Sequence, residues 1–151
     1  MLLLQIQVNI MISDTEQINK ELVWVNHPTY STCNYKNQTI AKHDIISSYD
    51  LDHTIIRPKY GSYFHNKNNN EWKFLPNVVN KIKESVTVNN SKFLIITNQK
   101  NLNERPNNLE IWKNKVEEVL KIIDLPCIVF VSFSEDRYRK PNPFMLKDNL
   151  E

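Results

Sequence analysis

Glycine is almost absent from this sequence, in which Gly61 is the only example among 151 residues. Loops that wrap nucleotide phosphates need several glycines, because the backbone must approach the phosphates closely and adopt dihedral angles that other residues avoid. The Walker A loop and the GxGxxG dinucleotide fingerprint are therefore both excluded. We accordingly expect no nucleotide cofactor.

Cysteine and long apolar runs are scarce as well. Two cysteines, Cys33 and Cys127, are too few for a disulfide framework in a chain of this length. Cys127 begins an apolar run, which predicts a reduced thiol in the core and an intracellular protein. The histidines and cysteines lack zinc-site spacing. No run is long enough to span a membrane, and Met1–Leu4 lacks the basic flank of a signal peptide, so we predict no membrane contact.

Neither sign of charge is in large excess, since the sequence contains 19 Lys and Arg residues and 17 Asp and Glu residues. The net charge of +2 is compatible with a polyanionic partner but does not require one. The length and the 40 % hydrophobic content fit one domain with a sizeable core. We predict an N-terminal extension over residues 1–40, with an edge strand near Leu22–Val25, followed by the main domain over residues 41–151.

From residue 44 onward, short apolar runs alternate with segments of helical periodicity. The runs predict buried strands at about 44–50, 92–97 and 127–132. Pro76 suits the first turn of one helix, and the periodicity predicts a second helix over 108–123. This order predicts an α/β fold, a Rossmann-like three-layer sandwich with a parallel central sheet. The long segment after the first strand predicts a small lid or hairpin insertion.

Polar side chains follow each of the three predicted strands, and the carboxyl ends of parallel strands meet at one edge of a sheet. These side chains belong to Asp50 and Asp52, Thr97 and Asn98, and Arg139 and Lys140. Aspartate is a poor strand residue, so two aspartates at a strand end indicate a site that needs them. Taken singly, Thr97 has a simpler explanation as a strand cap and Lys140 as a surface lysine.

Together these residues fit phosphoryl transfer. One carboxylate can attack phosphorus, while the other protonates the leaving oxygen and later deprotonates water. A hard cation with oxygen ligands screens the charge, and Mg²⁺ is the natural choice. A hydroxyl and a lysine then hold the phosphate oxygens in the transition state. Asp50, Asp52, Thr97 and Lys140 supply these groups.

Four motifs in this order resemble the phosphatase domain of polynucleotide kinase 3'-phosphatases, a branch of the haloacid dehalogenase (HAD) superfamily. The motifs are Tyr49–Ile56, Trp72 with Leu75–Pro76, Thr97–Gln99 and Tyr138–Pro141. The resemblance covers about residues 44–151. It implies an enzyme, a phosphoric monoester hydrolase that removes 3'-phosphates from DNA ends in strand-break repair. Nuclear, viral or cytoplasmic residence follows from that role alone.

The resemblance also implies a role for each matching residue. Asp50 is expected to be the nucleophile and a magnesium ligand, and Asp52 the general acid and base, with its backbone carbonyl as a second magnesium ligand. Thr97 and Lys140 are expected to hold the phosphate. Substrate-binding candidates beyond this core are Thr54, Arg57, Asn98 and Arg139.

One departure concerns the metal site. The family pattern has a further acidic residue, usually in a Gly-Asp pair after the next strand. Here the later acids are Asp148 and Glu151, with no strand or glycine before them. We therefore expect a chain truncated at its C-terminus, with the fourth motif missing. Two alternatives remain: a small-molecule phosphatase of the same superfamily, although Leu51 and His53 depart from its Asp-Arg-Asp-Gly-Thr pattern, or a catalytically impaired DNA-end-binding fragment.

Overall fold

Strands and helices alternate in the computed structural model, which describes residues 21–59, 71–143 and 146–148. A short 3₁₀ turn at Leu102–Glu104 precedes the second helix. The elements are β1 (Leu22–Asn26), β2 (Tyr30–Tyr35), β3 (Ile46–Tyr49), β4 (Ile56–Pro58), β5 (Trp72–Phe74), α1 (Val78–Asn89), β6 (Lys92–Asn98), α2 (Pro106–Ile123) and β7 (Cys127–Ser132).

The main sheet has five strands in the order β1-β2-β7-β6-β3. The three strands predicted from the sequence, β3, β6 and β7, are parallel to one another. β1 and β2 extend the sheet in antiparallel fashion beside β7. This arrangement confirms the α/β, Rossmann-like fold. It also places the strand that carries the two aspartates at one end of the sheet, since β3 pairs only with β6 among the described strands.

The core lies mainly on one face of the sheet. Both helices contribute to it, with Ile82 from α1 and Val116 from α2 packed against Phe93 and Val129 of the sheet. A smaller cluster occupies the opposite face, because successive side chains of a strand point to opposite sides. Its buried members are Tyr30, Leu94 and Phe130, and its partly buried members include Tyr138 and Leu146 from the segment after β7.

Both cysteines are buried in the core and neither forms a disulfide. Burial raises the pKa of the Cys33 thiol to about 12 and raises that of Cys127 well above its ordinary value. Both thiols are therefore protonated near neutral pH. The predicted core position of Cys127 is confirmed.

Two elements differ from the sequence prediction. The residues after β1, expected to be a polar loop, form β2, which contributes Cys33 and Tyr35 to the core. The hairpin after β3 is built from β4 and β5. A hairpin around residues 60–64, which the aromatic side chains there suggest, lies outside the described residues. The domain boundary at residue 40 stays a prediction.

No helix in the described parts of the chain is both long and apolar enough to cross a lipid bilayer.

Candidate active site

A tight turn after β3 presents the two aspartates on either side of a buried leucine. Leu51 is fully buried, and its carbonyl accepts hydrogen bonds from the amides of Ile55 and Ile56 at 2.9 and 3.1 Å. Asp50 accepts a hydrogen bond from the Leu51 amide through Oδ1 at 2.8 Å. Asp52 pairs with Ile56 through a β-bridge. The apolar residue thus anchors the turn while both carboxylates stay at least partly exposed.

The turn contains a residue with a left-handed backbone. His53 has φ 59°, a conformation that costs a residue with a Cβ about 1–2 kcal/mol relative to the right-handed region. The His53 amide donates to the Ile56 carbonyl at 2.7 Å, which helps to hold this geometry. Such local strain is typical of functional turns, where the surrounding structure over-determines the backbone.

Lys140 joins the ends of two strands. Its Nζ lies 2.9 Å from Asp50 Oδ2 and donates to the Ile96 carbonyl at 2.8 Å. Asn98 fixes the lysine backbone from the other side, because Asn98 Oδ1 accepts from the Lys140 amide at 3.1 Å. Lys140 is therefore held against the carboxylate of Asp50 even though it comes from the irregular segment after β7.

Gln99 joins the second aspartate to the threonine. Its Nε2 donates to Asp52 Oδ2 at 2.6 Å and lies 3.2 Å from Thr97 Oγ1. Thr97 is only 1 % exposed, and the Gln99 amide donates to the Ser132 carbonyl of β7 at 2.7 Å. The ends of β3 and β6 are thus connected through one amide side chain. Sequence reasoning did not single out Gln99, although it completes the Thr97–Gln99 motif.

A second lysine also acts on Asp52. Burial lowers the pKa of Lys115 on α2, and the Asp52 carboxylate partly offsets this effect. The sequence offered no signal for Lys115 beyond its position on an amphipathic helix.

The structure brings Asp50, Asp52, Thr97, Asn98 and Lys140 together at the carboxyl ends of β3 and β6. The remaining substrate-binding candidates are not joined to this group by any side-chain hydrogen bond or ion pair between described residues. Thr54 and Arg57 are exposed, and within the described residues neither makes a hydrogen bond or ion pair with the group. One guanidinium nitrogen of Arg139, Nη1, is buried and has no hydrogen-bond partner among the described residues.

The donor atoms suit a hard cation, although few are supplied by side chains. Mg²⁺ prefers six oxygen ligands and usually keeps several waters, so a carboxylate, a backbone carbonyl and water are a compatible set. Asp50 would supply the carboxylate and Asp52 the backbone carbonyl. The described residues contain no cluster of three His, Cys, Asp or Glu side chains that could hold a metal ion. Asp148 bonds elsewhere, to Arg137 at 2.9 Å and to the Tyr138 hydroxyl at 3.0 Å.

Known proteins resemble this chain in sequence. Residues 45–151 match the family model described as polynucleotide kinase 3 phosphatase. A bifunctional polynucleotide phosphatase/kinase from Schizosaccharomyces pombe is 30 % identical over 95 residues, which cover 62 % of this chain and 23 % of that protein. An uncharacterised 20.8 kDa protein of Autographa californica nuclear polyhedrosis virus is 31 % identical over 108 residues, covering 72 % of this chain and 58 % of that one. The matches thus span less than two thirds of either relative.

The fold also has a solved counterpart. A Mesorhizobium loti protein described as a candidate HAD-like phosphatase aligns with a TM-score of 0.63 at 16 % identity, covering 82 % of this chain and 64 % of that one. At this identity the likeness concerns the fold alone. The family-model match over residues 45–151 includes the turn with both aspartates, Thr97 on β6 and Lys140 in the segment after β7, so the chain belongs to the polynucleotide kinase 3 phosphatase family.

Proposed function

We propose that this protein is a magnesium-dependent polynucleotide 3'-phosphatase that acts on 3'-phosphate ends of DNA. One observation carries the proposal: Lys140 contacts Asp50 while Gln99 contacts both Asp52 and Thr97, all at the carboxyl edge of the parallel strands. A nucleophile, an acid and base, a hydroxyl and a cation therefore lie in one place. These are the groups that phosphate monoester hydrolysis requires.

In the first step, a carboxylate oxygen of Asp50 attacks phosphorus and forms an aspartyl phosphate. The bond between phosphorus and the 3'-oxygen breaks, and Asp52 donates its proton to that oxygen, which leaves as a 3'-hydroxyl. In the second step, Asp52 removes a proton from water as the water attacks the same phosphorus. The bond between phosphorus and Asp50 then breaks, releasing phosphate and restoring both carboxyl groups.

The neighbouring side chains hold the phosphate and balance its charge. The Lys140 ammonium, positioned by the Ile96 carbonyl, is placed to attract the phosphoryl oxygens next to Asp50. The Thr97 hydroxyl can donate to the same oxygens. Mg²⁺, held by the Asp50 carboxylate, the Asp52 backbone carbonyl and water, would supply the positive charge that lets an anionic carboxylate approach an anionic phosphate.

The biological role we propose is DNA strand-break repair, because a polymerase or ligase needs a free 3'-hydroxyl. Residence inside the cell, in the nucleus or in a viral or cytoplasmic setting, would suit that role. The repair role is supported by the family assignment and by the similarity to a protein described as a bifunctional polynucleotide phosphatase/kinase, whereas the residence is inferred from that role alone.

The test uses a nicked duplex with a 3'-phosphate, a sugar phosphate in parallel, and Mg²⁺. We expect phosphate release from the DNA alone, abolished by EDTA and by Asp50→Asn. Release from the sugar phosphate alone would instead identify a small-molecule phosphatase and would contradict the proposal.

A second candidate function is DNA-end binding without turnover. The observation that favours it is the small number of carboxylates, since the described residues offer two at the site and no cluster of three. Tight binding of the 3'-phosphorylated duplex with no release of phosphate at any Mg²⁺ concentration would establish this function in place of hydrolysis.

A further inference from the structure

The hairpin of β4 and β5 has an apolar face and a basic face. Ile56, Trp72 and Phe74 pack on the core, Ile56 as a buried residue and the two aromatic residues as partly buried ones. Arg57 and Lys73 alternate with these residues, so their side chains point away from the core, and both are exposed. The hairpin therefore presents its cations to solvent beside the candidate site.

Arg57 and Lys73 are directly opposite each other in the register of the two strands. Directly opposed residues have Cβ atoms about 4.5–5.5 Å apart, and like charges at such positions destabilise a strand pair. Neither side chain forms an ion pair with a residue that the structure describes. Glu71 lies two residues before Lys73, but its carboxylate forms no ion pair with either cation in the described part of the chain.

The position of this basic pair relative to the aspartates is fixed by the backbone. Ile56, the residue before Arg57, bridges to Asp52 and accepts the His53 amide. The Leu75 amide donates to the Ile55 carbonyl at 3.0 Å, which ties β5 to the same turn. Arg57 thus follows directly after a residue paired with Asp52, so a molecule whose end reaches Asp50 can have its next anionic group at the hairpin.

We propose that Arg57 and Lys73 together bind a phosphodiester group of the polynucleotide strand, next to the terminal 3'-phosphate. This inference rests on the proposed function and extends it, since it explains how a strand is distinguished from a small phosphate ester. An anion that bridges two opposed cations relieves their repulsion, and no described residue supplies such an anion here. Arginine and lysine are the common phosphate-contacting residues, and such contacts add affinity without sequence preference.

Binding measured without turnover tests the inference directly. The probe is a fluorescein-labelled, 3'-phosphorylated single-stranded oligodeoxynucleotide of ten nucleotides. It is titrated with the full chain in a buffer that contains EDTA. The variants are Arg57→Gln, Lys73→Gln, the double variant and Lys73→Glu, with Lys81→Gln as the matched control because Lys81 is exposed on α1. We expect Kd to rise about fivefold for each single Gln variant and further for Lys73→Glu, with no change for Lys81→Gln.

The salt dependence gives a second readout. The slope of log Kd against log salt concentration should fall by about 0.7 for each removed contact to a single strand. Unchanged Kd and slope in the double variant, or failure of the wild-type chain to bind the probe, would overturn the inference.

Turnover separates this inference from the proposed function. On thymidine 3'-monophosphate, which has no phosphodiester, the double variant should keep wild-type kcat/KM, while its KM for the oligonucleotide rises. Equal losses of kcat/KM on both substrates would mean that the pair contributes to catalysis or to folding, and would overturn the inference. Probe binding that depends on the pair, without hydrolysis of either substrate, would support the inference and refute the phosphatase.

Discussion

At the residue scale, the site depends on the side chain of Gln99, whose role cannot be predicted from the sequence motif alone. Asp50, Asp52, Thr97 and Lys140 can be found from the sequence because each follows an apolar strand and each has a residue type that suits phosphate chemistry. Gln99 also follows an apolar strand, but its residue type gives no signal, since an amide after a strand is usually a solvated loop residue. Its contact with Asp52 depends on the pairing of β3 with β6. This pairing is a long-range contact that the local sequence does not determine.

We predict that Gln99→Leu lowers kcat on a 3'-phosphorylated oligonucleotide by about 10- to 100-fold. A hydrogen bond to a charged group contributes about 1.5–3 kcal/mol, and Gln99 donates one to Asp52 at 2.6 Å. As a positioning residue, Gln99 should also affect the pH profile. The variant removes a hydrogen-bond donor from Asp52, the proposed acid and base, so the dependence of kcat on pH should differ from that of wild type.

Gln38→Leu is the matched control for Gln99→Leu. Gln38 donates to the Pro126 carbonyl at 3.1 Å, from the loop that follows β2. This variant should keep both kcat and the pH profile. If Gln99→Leu lowered thermal stability and kcat but left the pH profile in place, Gln99 would have only a structural role.

At the scale of elements, the predictable parts are those with a strong and long hydrophobic pattern. β7 was expected over the same six residues that it occupies, and α2 begins two residues earlier than predicted and ends where predicted. The sequence did not predict β2, because Ser, Thr, Cys and Asn stand between its two tyrosines and leave no apolar run. Its burial depends on pairing with β7. β4 and β5 have three residues each, too few for a periodic signal.

The end of α2 is tied to β2 by a polar contact that is sensitive to acid. Asp124 ends the helix in a left-handed conformation with φ 57° and accepts a hydrogen bond from the Tyr35 hydroxyl at 3.2 Å. Lys36 forms an ion pair with the same carboxylate. Lys36, and after it Tyr35, lower the pKa of Asp124 below its ordinary value of 3.8.

We predict that Asp124→Asn is less stable than wild type at pH 7 and that this difference disappears in acid. Because the folded state lowers the pKa, the ionised carboxylate stabilises the fold at pH values above 3.8, and this contribution is lost as the pH falls through the lower, folded-state pKa. Asparagine tolerates the left-handed backbone, so the change isolates the charge.

Urea unfolding at pH 7 and at several pH values below 4 measures this effect. Glu84→Gln is a suitable control, since Glu84 is exposed on α1 and should show no pH-dependent difference. A stability loss in Asp124→Asn that is equal at pH 7 and at the acid end would show that the ion pair with Lys36 does not contribute.

At the scale of the whole molecule, the site is assembled from segments far apart in the sequence. Asp50 and Lys140 come from the segments after β3 and β7, Thr97 lies near the end of β6, and the sheet order β7-β6-β3 brings these strand ends together. Sequence order alone predicts this convergence, because parallel strands joined by helices point the same way. It does not predict that β3 lies at the end of the described sheet, since strand order is set by long-range pairing.

Because the site joins several segments, a cation bound there should stabilise the whole fold. A ligand that binds only the folded state at a concentration 100 times its Kd adds about 2.7 kcal/mol. For a chain of about 150 residues this corresponds to a rise in Tm of about 5–10 °C. We predict such a rise when Mg²⁺ is added to EDTA-treated protein. Asp50→Asn should abolish it, whereas Asp136→Asn should keep it, because the Asp136 carboxylate accepts a hydrogen bond from the Tyr138 amide and forms none with Asp50 or Asp52 in the described residues. An equal rise in both variants would mean that Mg²⁺ binds elsewhere.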